Sequence, residues 1–151
     1  MRRRLMIPAG MLYAAVLAPS AHAHHSHPYF YDECQSVTIK GRIDRVEFKD
    51  PHTRVVLRLD DGTAYTVDWA GLRGLTRDGV IGPAKAALVF GAAVVVTGNR
   101  IRKAAEIREH FPDFTSEVNP NTVDPSSIRR ADDSFSWALP PRTNPPNCNA
   151  R

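Results

Sequence analysis

A hydrophobic alternation that breaks phase just after a glycine constrains this chain more than any other feature. Val37, Ile39, Gly41 and Ile43 share one face of a strand, and the apolar rhythm then resumes out of step at Val46 and Phe48. A side-chain period of two cannot change phase without an extra residue, so the slip predicts a bulge or a sharp bend. A strand bent beside a glycine can serve both sides of a small barrel.

The elements that follow fit the same idea. Asp50-Pro51-His52 reads as a turn, and Val55, Leu57 and Leu59 alternate in a second strand. Asp60-Asp61-Gly62 is a tight hairpin signal, and Tyr65, Val67 and Trp69 make a third strand. Residues 71–82 form a Gly-rich connection. Residues 83–90 predict a two-turn helix, with Pro83 in its first turn and Gly91 past its end. Residues 94–97 form a fourth strand and Gly98-Asn99 a hairpin turn. The fifth strand falls either at 100–102 or at 127–130, the latter paired with 135–137 across Asp132-Asp133. Residues 103–110 have weak helical character.

Composition then divides the chain. All nine glycines occur by Gly98, whereas seven of the 12 prolines occur from Pro112 onward. Glycine supplies turns in a compact sheet, and proline without glycine describes an extended segment. The expected organisation is an arm over 24–35, a barrel core over 36–102 and a Pro-containing extension over 103–151. Three strands, a helix and two more strands match a mainly β, five-stranded Greek-key barrel of the OB type, with one short helix and a long tail.

The first 23 residues read as an export signal. Arg2, Arg3 and Arg4 precede an apolar run from Leu5 to Ala18 that is short for a membrane span. Ala21-His22-Ala23 offers a cleavage site, with a cut after Ser20 as the alternative. Cleavage after Ala23 leaves His24 first, no membrane span, and a periplasmic or secreted protein. It also removes three of the 20 basic residues, leaving a near balance with the 16 acidic ones. The remaining cations alternate with acids, as in Arg42-Ile43-Asp44-Arg45-Val46-Glu47, which argues against nucleic-acid binding. Cys34 and Cys148, the only two cysteines, are then expected to form a disulfide.

Catalytic signatures are missing. Neither a Gly-x-Ser-x-Gly nucleophile turn nor a phosphate-binding loop occurs, so nothing in the motifs argues for an enzyme. Histidine carries the chemistry. His24, His25 and His27 cluster at the new N-terminus, where the His24 α-amine and imidazole would form a chelate suited to copper, with zinc second. His52 stands at a turn that could lie beside them. The rival is a metal-independent module that binds a small molecule or a protein through Tyr65 and Trp69. The alternation of those two residues equally fits core packing.

Three segments resemble the exported bacterial family catalogued as domain of unknown function 6152. His24-His25-Ser26 directly follows the signal. Residues 41–48, Gly-Arg-Ile-Asp-Arg-Val-Glu-Phe, followed by Asp50-Pro51-His52, are similar to the family's Gly-x-Val-x-x-Val-Glu-Trp and Asn-Pro-His segments. Asp68-Trp69-Ala70 with Leu72 and Arg77-Asp78 resembles its third strand and Thr-Arg-Asp connection. Asp50 and Phe48 depart from that pattern, as does the shortened connection after Trp69. The resemblance implies export, an OB-like barrel and a place for both histidine segments, but no activity.

Overall fold

The predicted phase slip is a β-bulge. In a computed structural model that describes residues 27–141, 143 and 146–148, strand β1 (Tyr31–Glu47) follows a one-turn helix α1 (His27–Phe30). Pairing of β1 with β2 (His52–Arg58) passes from Ile43↔Leu57 to Arg45↔Val56, so Asp44 is the extra residue. Upstream of the bulge β1 pairs with β4 (Ala93–Ile101), and downstream with β2. Gly41 sits at the handover, where a Cβ would lie 2.9 Å from the Arg58 carbonyl oxygen. The signal segment, His24 and His25 lie outside the described residues.

Asp60-Asp61-Gly62 forms the expected hairpin into β3 (Ala64–Ala70), with Leu59 N–H donating to Thr63 O at 2.9 Å and Gly62 at φ +84°. Helices α2 (Leu72–Arg77) and α3 (Ile81–Ala87) then occupy the connection to β4. The expected single helix over 83–90 is thus a pair shifted upstream. Pro83 is accommodated in the first turn of α3, where an amide N–H has no intrahelical partner. Leu75 from α2 and Leu88 after α3 are buried and join the core cluster of the barrel.

Two expectations about the later strands are corrected. Gly98-Asn99 is no turn: β4 runs straight through it to Ile101, taking in residues 100 and 101 of the first proposed fifth strand. Gly98 is needed for close approach, because β5 (Thr122–Arg130) crosses directly over it. The delayed alternative for the fifth strand is the one that forms, and β6 (Ser136–Ala138) pairs with it. β3 and β5 meet in parallel at Thr66↔Thr122 and Val67↔Val123, closing a five-stranded barrel in the order β1-β2-β3-β5-β4. The closing strand therefore lies beyond the expected core boundary at 102, after helix α4 (Ala104–His110). The expected arm likewise includes the first residues of β1.

The cysteines are joined, Cα to Cα 5.5 Å apart across 114 residues of chain. β1 loses register with β4 between Asp32 and Ser36, and Cys34 stands in that irregular stretch. Among the described residues no helix is long and apolar enough to cross a membrane.

One cross-strand pair puts polar atoms into the buried core. Thr53 and Trp69 face each other on β2 and β3 and are 0% and 1% exposed. Thr53 Oγ1 and Trp69 Nε1 have no hydrogen-bond partner among the described residues. An unmet buried hydroxyl costs about 1–3 kcal/mol, so replacing it with a methyl of the same shape is favourable. Thr53→Val should raise the melting temperature by about 4 °C, following from about 1 kcal/mol in a domain of this size. A lower melting temperature would show that the hydroxyl has a partner in solution.

Candidate functional site

The alternation that buries Thr53, Val55 and Leu57 on β2, with Val67 and Trp69 on β3, turns the intervening residues outward. His52, Arg54, Thr66 and Asp68 thereby share one face. That face becomes the wall of a cavity of about 500 Å3 because two other segments fold against it. One is α1 with the start of β1, contributing His27, Phe30 and Tyr31. The other is the loop of residues 111–121, contributing Phe114, Glu117, Val118 and Asn119.

Local contacts fix both segments. Arg102 clamps the arm, its backbone N–H donating to Phe30 O at 2.8 Å and its Nε to Pro28 O at 3.0 Å. Phe30 stacks on Phe111 at 5.3 Å and meets Phe114 edge-on at 5.9 Å. Tyr29 reaches His110 and Phe111, tying the arm to the end of α4. Arg108 Nε donates to Phe114 O at 3.0 Å, and Thr66 N–H to Asn121 O at 2.9 Å, which seats the loop on β3.

The polar groups form two neighbouring sets. Asp68 accepts from Tyr31 Oη at 3.3 Å and from Arg54 Nε at 3.2 Å. His27 Nε2 lies 2.8 Å from Asp124 Oδ2, and its ring stacks on Tyr31 at 5.0 Å. Burial raises the Tyr31 pKa well above the ordinary phenol value, and the Asp68 and Asp124 carboxylates push it the same way. The phenol therefore stays protonated and donates to Asp68. Together these contacts give a rigid wall of hydrogen-bonding groups beside an apolar edge of Phe30, Ile101, Phe114 and Val118.

The expected residues divide. His27 and His52 both line this cavity, whereas His24 and His25 lie outside the described residues. Among the described residues no group of three His, Cys, Asp or Glu side chains is placed to hold a metal ion. Trp69 is core, 1% exposed and packed edge-on against Trp137 at 4.9 Å, so it offers no surface to a ligand. Tyr65 is half-buried against the same core and does not line the cavity. The neighbouring outward residues of β3, Thr66 and Asp68, line the cavity instead. Sequence reasoning missed those two, Arg54, Tyr31 and the 111–121 loop. The polar phase of β2 and β3 was the available signal.

The profile of a family of unknown function, DUF6152, matches residues 13–108. No curated protein matches the chain. Among solved structures, a chain of the crystal structure of the S. pombe Stn1-ten1 complex is similar, with 16% identity and a TM-score of 0.44. The match covers 65% of this chain and spans 59% of the length of that one.

Proposed function

We propose that this chain, which belongs to the family of unknown function DUF6152, is a binding module that takes a small molecule between the outward β2–β3 face and the 111–121 loop. The observation that carries the reading is the cavity of about 500 Å3, lined by both polar groups and aromatic rings. That volume falls in the range of small-molecule sites. Barrels of this topology bind ligands on strands two and three and on the loop before strand five.

Export to the periplasm or outside the cell belongs to the same proposal. Its support is the basic and apolar N-terminal run with Ala21-His22-Ala23, together with a Cys34–Cys148 bridge of the kind that persists in oxidising compartments.

Filling the cavity tests the reading. A mixture of small polar and aromatic fragments, screened by ligand-observed NMR, should give hits with the wild-type protein. Thr66→Trp, at an outward position, should abolish those hits while leaving the melting temperature within a few degrees. Hits indifferent to the tryptophan would place binding elsewhere, and an absence of hits would sink the proposal.

A second reading is copper binding without catalysis, with zinc the weaker candidate. The sharing of one cavity by His27 and His52 favours it. Its ligands would be the His24 amine and imidazole, with His25, His27 or His52 completing the set. One extra alanine before His24 moves the amine off that residue and leaves every imidazole in place. Copper affinity of the matured protein should then fall by more than about tenfold as the chelate ring is lost. Equal affinity rules out the N-terminal chelate.

A further inference from the structure

Resting on the small-molecule reading, we infer that the cavity recognises a neutral carbohydrate. Charge is the first argument. Arg54, a cation of the lining, is matched by Asp68, and His27 Nε2 lies against the Asp124 carboxylate. Glu117 adds a carboxylate from the loop. A phosphate or a nucleic-acid backbone would meet no surplus of positive charge here, so an anionic ligand is disfavoured. An uncharged ligand uses the same groups without separating either pair.

Hydrogen-bond capacity is the second. A sugar hydroxyl both donates and accepts, and needs a wall that offers both within a short span. Asp68 supplies acceptor capacity beside the guanidinium N–H groups of Arg54, and Thr66, Asn119 and Thr122 add hydroxyl and amide groups. Tyr31 spends its proton on Asp68 and keeps lone pairs for the cavity. These groups are held by one another before any ligand arrives, which lowers the ordering cost of binding.

The apolar edge is the third. Phe30 and Phe114 line the same cavity as the polar groups. A pyranose ring carries C–H groups on one face and hydroxyls around its rim, so it can pack on aromatic carbon while its rim reaches Asp68 and Arg54. A purely polar metabolite would waste the rings. A purely apolar one would strand the ion pairs.

The test uses the uniformly 15N-labelled protein titrated separately with maltotriose, cellotriose and chitotriose, with inorganic phosphate and a short oligothymidylate as anionic arms. At least one trisaccharide should move the amide signals of Thr66, Asp68 and Asn119, and neither anion should do so. Asp68→Asn should weaken that sugar by about tenfold or more, the loss expected when a hydrogen bond to a charged group is removed. Because Asp68 also anchors Tyr31, the isosteric Thr66→Val gives a second reading, with a loss of about threefold. Fragments that occupy the cavity while all three sugars leave these signals unmoved would overturn the carbohydrate assignment alone. Silence from fragments and sugars together would overturn the binding reading beneath it. Shifts produced by the oligothymidylate would replace the carbohydrate with a nucleic acid.

Discussion

Replacing both Cys34 and Cys148 with serine is expected to lower the melting temperature by about 15 °C, the largest single effect in this molecule. The bridge closes a loop of 114 residues, nearly the whole barrel. Chain-entropy estimates for a loop of that length give about 4–5 kcal/mol, an upper figure. Cys148 is exposed and Cys34 only half-buried, so little native packing is lost with the sulfurs. The effect therefore arises mainly in the unfolded chain, which expands further when the constraint is gone. Denaturant unfolding should accordingly show a steeper slope as well as an earlier midpoint in the double serine variant. The wild-type protein treated with a reductant should reproduce both changes. Equal midpoints with and without reductant would mean that the bridge contributes nothing to stability.

Some of this fold can be read directly from residue order, because its causes are local. The step from Ile43 to Val46 announces the bulge at Asp44, and Asp60-Asp61-Gly62 announces its hairpin. Two cysteines behind a run that reads as an export signal announce the disulfide. What could not be read depends on partners distant in sequence. The cavity needs Tyr31, Asp68 and Phe114, which three separate elements bring together. Arg54 and Asp68 were visible as the polar phase of two strands, and solvated faces look the same. Only the arm and the 111–121 loop, folded over them, turn that face into a site. Trp69 illustrates the converse: a large aromatic suggests a binding platform, yet its strand phase commits it to the interior.

Gly98 is the sharpest case of a non-local cause, and Gly98→Ala should cost about 3 kcal/mol, or about 10 °C in melting temperature. A Cβ at this position would sit 2.1 Å from the Asp124 carbonyl oxygen and 2.8 Å from Pro125 Cα. Every atom it meets is backbone, so no side chain can swing away. β5 would have to lift off β4 where the register already shifts, between Thr97 and Gly98. The displacement would fall on Asp124, whose side chain holds His27 at the cavity wall. Loss of stability should therefore come with weaker binding of whatever ligand the cavity takes. Gly74→Ala is the matched control. Gly74 lies within α2, and its added Cβ would meet only Ala70 Cβ at 3.5 Å, an ordinary contact. Alanine there should stabilise the protein by about 0.5–1 kcal/mol, because it restricts the unfolded chain and favours helix. The two glycine-to-alanine changes are thus expected to move the melting temperature in opposite directions. Equal melting temperatures for Gly98→Ala and the wild type would mean that β5 does not pass this close to β4, and that the barrel closes differently.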